Sequence, residues 1–250
     1  CLAIIALLFA LTLAGCATTA ANVAPEMPPM HSISEVDDEF VGAELGADPW
    51  EGFNRSIYKF NYYFDKYALL PVVNTYEFIT PTVAQTGVSN FFNNIGEIRT
   101  FYNSMLQLKG EKSLITAGRF IVNSTIGIIG LFDVATQFGL KRENEDFGET
   151  LAVWGVGRGP YLVMPVLGPG TVRSTSGFVV DTAIHAAIKD AIDLPDRMEN
   201  GDTIQTGVTI LKVVDNRHQQ PFRYYDNGYP FEYEMVRFLF RQKRELEAMK

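Results

Sequence analysis

The stretch FGETLAVWGVGRGPYLVMPVLGPG, residues 147–170, decides how the rest of the chain is read. It holds six Gly and three Pro, yet most of its other residues are large and apolar. Solvent-facing loops rich in Gly and Pro are usually polar. Here the glycines let one backbone approach another, and Pro160, Pro165 and Pro169 block a long continuous helix. The composition predicts a semi-extended apolar element, buried in protein or facing lipid. A core hairpin with turns satisfies the same composition.

The whole chain has 250 residues, 47% of them hydrophobic and 12% aromatic, enough to build a sizeable core. The net charge of −8 argues against a nucleic-acid partner, because phosphate contact needs a basic surface. The two cysteines, Cys1 and Cys16, both precede the body of the chain, so no disulfide framework or thiolate metal site is expected there.

The N-terminus reads as an export signal. Residues Leu2 to Gly15 are uncharged and apolar, too short to span a bilayer but suited to a signal-peptide core. The chain begins at Cys1 without a basic segment, so the expectation is a signal sequence truncated at its start. The run ends Leu13-Ala14-Gly15-Cys16, which resembles the bacterial lipobox. Cys16 is then the lipid-attachment residue, and its acyl chains are the only non-protein group expected. Each buried methylene contributes about 0.8 kcal/mol, so three chains anchor almost permanently. Ala17, rather than Asp, follows the cysteine and points to the outer membrane. The expected organisation is a signal peptide over 1–15, a lipidated tether over 16–47 and a helical domain over 48–250. The tether carries Pro25, Pro28 and Pro29 and an acidic patch from Glu35 to Glu39, a composition that rarely packs.

The body opens with Asp48-Pro49-Trp50-Glu51, which reads as N-cap, Pro at the first helical position and Glu at the third. Trp50, Phe53, Ile57, Phe60, Phe64 and Tyr67 follow at spacings of three and four, one stripe of an amphipathic helix. Tyr and Trp on such a stripe suit a membrane interface, and an ordinary core helix gives the same pattern. Pro71 is expected to end this helix. Short helices are expected over Val83 to Asn93 and Glu97 to Leu108. Ile126 to Val134 is nearly all apolar, too short to span, and reads as helix broken by Gly127 and Gly130, buried in the core or packed within lipid. Lys141 to Asp146 reads as a solvated turn. Further helices are expected over Ser176 to Ile192, Thr203 to Val214 and Glu232 to Lys250, with a break at Leu194-Pro195-Asp196.

Chemistry-bearing motifs are missing. Gly155, Gly157 and Gly159 are followed by Pro160 and no Lys-Ser/Thr, so neither a phosphate loop nor a dinucleotide fingerprint forms. No nucleophile elbow or HExxH occurs. Asp181, His185 and Lys189 recur every four residues. They read as a solvated helix face or, alternatively, as the base and orienter of a phospholipid hydrolase.

Four blocks resemble the MlaA (VacJ) family of Gram-negative outer-membrane lipoproteins. They are DPWEGFNR from Asp48, RFIVNSTIGIIGLFD from Arg119, EDFGETL from Glu145 running on through Gly155 to Gly168-Pro169, and Val236-Arg237 ahead of a basic tail. One departure is Ser174, where the family pattern carries a carboxylate after the Arg. The resemblance implies an all-α ring of amphipathic helices lying in the membrane, with the Gly/Pro-rich apolar hairpin or loop lining a central channel. It implies a non-enzymatic role: mislocalised phospholipid is taken from the outer leaflet of the outer membrane and passed to a soluble periplasmic carrier. It also implies association with trimeric porins; a purely structural, porin-bound lipoprotein is the alternative. Candidate lipid-path residues are Phe60, Phe64, Tyr161, Leu162, Met164, Val166 and Leu167, with Gly168 and Gly170 as hinges. Arg158 and Arg173 are candidates for headgroup phosphate.

Overall fold

A computed structural model describes residues 48–192, 201–226 and 231–249. The signal stretch, Cys16, the tether and the break at Leu194-Pro195-Asp196 lie outside the described residues. The described chain is mostly helical. Helix α1 (Glu51–Phe64) runs through one π-helical turn (Asp65–Leu69) into α2 (Leu70–Ile79). Then come α3 (Thr82–Leu106), α4 (Gly110–Thr125), the single turn α5 (Val134–Gln137) and α6 (Phe147–Val153). Strands β1 (Tyr161–Met164) and β2 (Gly168–Thr171) form an antiparallel hairpin, with Tyr161 opposite Thr171 and Met164 opposite Gly168. Helices α7 (Val172–Ile192), α8 (Gly201–His218) and α9 (Glu232–Met249) complete it.

Several boundaries differ from the sequence reading. Pro71 does not end a helix. It sits in the first turn of α2, just after the π-turn, where a missing N–H costs no ladder bond. The Asp48 side chain does not cap α1, which begins at Glu51 with Trp50 at the cap. Its carboxylate instead accepts from the Trp50 N–H, Asn54, Tyr233 and Arg237. The two short helices expected between Val83 and Leu108 are one, α3. Gly96 interrupts nothing, because a lone glycine weakens a helix by only about 1 kcal/mol. Lys141 to Asp146 is not simply solvated: Glu145 is buried between Lys109 and Lys112, and Asp146 caps α6 in a capping box with Glu149.

The polarity of the molecule is inverted. Buried side chains include Asn54, Asn61, Glu97, Asn103, Thr116 and Arg119. Exposed ones include Phe53, Phe78, Val83, Leu108, Ile126 and Ile129. The stripe of α1 shows it best. Trp50, Phe53, Phe60 and Tyr67 face outward, while Asn54, Tyr58, Asn61 and Tyr62 face in. Exposed apolar surface on this scale marks contact with a membrane or another protein. No described helix is long and apolar enough to cross a membrane. Ile126 to Phe132 is not a helix, and apart from Gly127 and Gly130 it is not buried. It is a chain of turns with Ile126, Ile128 and Ile129 exposed. Ile128 and Ile129 hold φ of 53° and 56°, a strained region for β-branched residues.

What fixes that turn is polar. Arg119 is buried and donates from Nε to Glu97 Oε1 at 2.7 Å. It also donates to Thr136, to the Leu140 carbonyl and to both oxygens of Asp133. Asn123 donates to Asp133 and accepts the Ala135 N–H. A second anchor is close backbone approach. A Cβ on Gly177 would lie 2.2 Å from the Gly148 nitrogen, so α7 crosses α6 with nothing between them. The small apolar core lies elsewhere, where Tyr58, Tyr161, Val163 and Tyr233 pack together.

Candidate functional site

The hairpin is held by two asparagines two turns apart on the inner face of α1. Asn54 donates to the Tyr161 carbonyl at 3.0 Å and accepts the Val163 N–H at 2.8 Å. Asn61 donates to the Met164 carbonyl at 3.0 Å and accepts the Val166 N–H at 2.7 Å. Each side-chain amide thus stands in for a neighbouring strand, satisfying the edge of β1 that β2 does not pair. Tyr58, between them, donates to Glu232 at 2.6 Å and meets Tyr224, Tyr225 and Tyr233 edge to face. This clasp sets Tyr161 and Val163 into the core and leaves the far end of the hairpin beside open space.

That space is a cavity of about 570 Å³. Its apolar wall comes from Phe64 and Leu69, from Val166 and Leu167 in the hairpin turn, from Phe222 and Tyr224, and from Leu239 and Phe240 on α9. The polar wall is Asn61, Asp65, Arg217, Gln220 and Lys243. Arg217 and Asp65 are a buried bidentate pair at 2.6 and 2.8 Å, and Arg217 also donates to the carbonyls of Gln220 and Phe222. The pair is fully spent, so it gives the wall polarity without a bare charge. Lys243 stands at the rim with most of its side chain in the open, 3.6 Å from Glu247. Burial and the charge of Asp65 push the Tyr224 phenol up to about 12, so it remains a neutral donor. A second cavity of about 240 Å³ lies against the first, sharing Leu167, Gly168, Pro169 and Phe240. Met164, Gly170, Ser174, Thr175, Phe178, Asp146 and Arg244 line the rest of it. Together they form an amphipathic space within the size range of ligand sites, divided by the tip of the hairpin.

Of the residues singled out from sequence, Phe64, Val166 and Leu167 line the larger cavity, and Met164 and Leu167 the smaller. Phe60, Tyr161 and Leu162 line neither. Phe60 faces outward, stacked on Phe64 at 5.8 Å, and Tyr161 is wholly buried in the core. Gly168 lines both cavities and Gly170 the smaller one, and both lie within β2. Gly168 has φ of +84°, where a side chain is strained, so this end of β2 depends on glycine. Arg158 is an exposed partner of Glu245, and Arg173 donates to the Val156 carbonyl at 2.9 Å; neither reaches a cavity. The cavity residues that sequence reading missed include Asn61, Asp65, Arg217, Phe222, Tyr224, Leu239, Phe240 and Lys243. Asp65 and Arg217 are 152 positions apart, and nothing local marks them as a pair.

The hydrolase arrangement does not form. Asp181 accepts from Tyr102, from Asn103 and from the Phe147 N–H, so it joins three elements rather than orienting an imidazole. Among the described residues no hydrogen bond links it to His185, which is exposed. Under the smaller cavity, Arg244 pairs with Asp146 at 2.8 Å and Glu149 at 3.0 Å. Glu149 is pushed up to about 8 by burial, the Asp146 charge and the hydrogen bond it donates to Glu145, against the pull of Arg244. Burial also works to raise Glu145, but the hydrogen bonds from Lys112 and Glu149 and the charge of Lys109 carry it below its ordinary value.

Comparison with known proteins gives one consistent result. A family model described as MlaA lipoprotein matches residues 46–247. The intermembrane phospholipid transport system lipoprotein MlaA of Escherichia coli K12 is 36% identical over 139 residues, 54% of this chain and 55% of that protein. A Rickettsia felis protein is 41% identical over 133 residues, 53% of each. The chain thus spans about half the length of the curated relatives it matches. A solved structure described as the structural basis for maintenance of bacterial outer membrane lipid asymmetry covers 81% of this chain and all of that one. Its identity is 30% and its TM-score 0.62.

Proposed function

This chain belongs to the MlaA lipoprotein family, and from that premise we propose that it moves phospholipid through the hairpin cavity without chemical change. The cargo is mislocalised phospholipid of the outer leaflet of the outer membrane, and the product is the same lipid handed to a soluble periplasmic carrier. Cys16 carries the acyl anchor, residues 16–47 act as the tether, and the helices lie as a ring in the periplasmic leaflet, with trimeric porins as neighbours. The observation that carries this reading is the amphipathic cavity set in a molecule with exposed apolar and buried polar side chains.

The physical requirement is large. Two acyl chains of about 16 carbons, at about 0.8 kcal/mol per methylene, cost roughly 25 kcal/mol to expose to water. A transfer path must keep them covered while the headgroup stays hydrated. The wall of Phe64, Leu167, Leu239 and Phe240 does the first, and the edge of Gln220, Tyr224 and Lys243 the second. The outward face of α1 places the cavity within reach of lipid, as an interfacial helix does. The tip of the hairpin separates the two cavities, and Gly168 and Gly170 are the positions about which it yields. With no nucleotide motif in the chain, direction comes from lipid imbalance or from the acceptor.

The test is photochemical. A photoreactive phenylalanine analogue replaces Leu239 in the wall, or Phe78 on the outer face, in protein loaded with radiolabelled phospholipid and then extracted into detergent. The reading requires the Leu239 position to capture label that persists after extraction, and the Phe78 position to lose it. Equal capture at both would reject the cavity as the path.

A further inference from the structure

The two cavities share a partition. Leu167, Gly168 and Pro169 of the hairpin and Phe240 of α9 line both. Beyond it the larger cavity runs along Phe64 and Leu69, and the smaller along Met164 and Phe178. A charged residue of each stands beside the other: Lys243 lines the larger and Arg244 the smaller, and these are consecutive on α9. Phe240 lies one turn before them, so the charged pair and the partition are neighbours on one helix.

The partition is held in a costly conformation. On either side of Leu167, Val166 has φ of +67° and Gly168 of +84°. A β-branched residue keeps a positive φ only where its surroundings impose it. Asn61 does so, donating to the Met164 carbonyl and accepting the Val166 N–H at 2.7 Å. The Leu167 N–H closes on the Pro165 carbonyl at 2.8 Å. The strained turn thus sets Leu167, with Phe240, where the two spaces meet. A path for one apolar chain has no use for a divided space with its charged residues side by side. A molecule with one polar head and two apolar tails fits that shape.

We propose that the two cavities together hold one two-chain phospholipid, an acyl chain in each, with the hairpin tip between the chains and the headgroup beside Lys243 and Arg244. This rests on the cavity path proposed above and adds the class of cargo: diacyl lipids, and not their single-chain lyso forms. The unequal sizes, about 570 and 240 Å³, mean that the chains are not equivalent in the bound state.

The test joins the two cavities through the lipid. In the full chain, photoreactive phenylalanine analogues replace Phe178, in the smaller cavity, and Leu239, in the larger. Both positions are about half exposed, so the analogues fit without repacking. The protein is loaded with phosphatidylglycerol, extracted into detergent and only then illuminated, and its digest is read by mass spectrometry. The expected product is an α7 peptide and an α9 peptide joined through one lipid. Alkaline cleavage of the glycerol esters should separate them, each keeping one acyl chain, and lysophosphatidylglycerol should give no joined product. Label at Leu239 alone overturns the two-chain arrangement and leaves the larger cavity as the path. The arrangement is equally overturned by label at Phe178 alone, by two labelled peptides that never join, by a joined product that survives ester cleavage, or by joining through the lyso lipid. Label at neither position rejects the cavity path and the two-chain arrangement with it.

Discussion

Two regions of this molecule hold an apolar element in place, and they do so differently. Around Arg119 the element is the exposed turn Ile126 to Phe132, held by a guanidinium whose donors meet two carboxylates, a hydroxyl and a carbonyl. Around Tyr161 the element is the hairpin, held by four neutral amide bonds from Asn54 and Asn61 and by aromatic packing. Charge-assisted bonds are about twice as strong as neutral ones, and a buried charge stripped of its partner is far more costly than a stripped amide. The first region is therefore a fixed frame that presents apolar side chains outward. The second borders the cavities and is the more easily released.

The sharpest way to break that contrast is Arg119→Ala. It leaves Glu97 buried and Asp133 unpaired, and should cost about 3–5 kcal/mol, read as loss of the folded state in thermal melts. Asn54→Ala should cost about 2 kcal/mol, because the Tyr161 carbonyl and Val163 N–H lose their partner. Its signature is faster amide exchange over residues 161–166, with residues 119–136 unaffected. If Asn54→Ala destabilises as much as Arg119→Ala, the ranking of frame and hairpin fails.

Acid and base separate the regions further. Asp133 lies near 2, well under its ordinary 3.8: burial opposes this, but hydrogen bonds from Thr136, Asn123 and Arg119 prevail. Its contribution is present above the unfolded value and is lost as pH falls from about 3.8 toward 2. Glu149, beside the smaller cavity, runs the other way. Its folded value of about 8 exceeds its ordinary 4.5, so the folded state binds the extra proton. That contribution is complete below pH 4.5 and is lost as pH rises toward 8. Glu149→Gln, which keeps an acceptor for the Asp146 N–H, should flatten stability across that window in denaturant titrations. The smallest effect belongs to Gly168→Ala, about 1 kcal/mol from its left-handed backbone, and it should perturb the hairpin and not the frame.

Much of the fold was legible in the sequence where the determinants are local. The 3-and-4 spacing of Trp50 to Phe64 marks α1, and the four blocks mark the family. What the spacing could not tell is which way the stripe points. In water the apolar face turns inward; here the asparagines do, and the proposed lipid setting accounts for it, because lipid removes the penalty on exposed apolar groups and raises it on bare polar ones. Pro71 misled because the π-turn before it opens the helical ladder where a proline fits. Met164, Val166 and Leu167 were found because the hairpin concentrates them in one short run, and Phe64 because it lies on the stripe of α1. Arg217, Tyr224 and Leu239 reach the cavity from distant segments, and no local pattern connects them to it.

The central claim is that lipid travels through the cavity between α1, α9 and the hairpin tip. The direct measurement is transfer of fluorescent phospholipid from reconstituted vesicles to an acceptor, comparing the parent chain with Leu167→Arg and with Ile129→Arg on the outer turn. The account requires Leu167→Arg, which sets an unpaired charge where the two cavities meet, to stop transfer while the protein remains folded and membrane-bound, and Ile129→Arg to leave transfer largely intact. Undiminished transfer by a folded Leu167→Arg protein would contradict it.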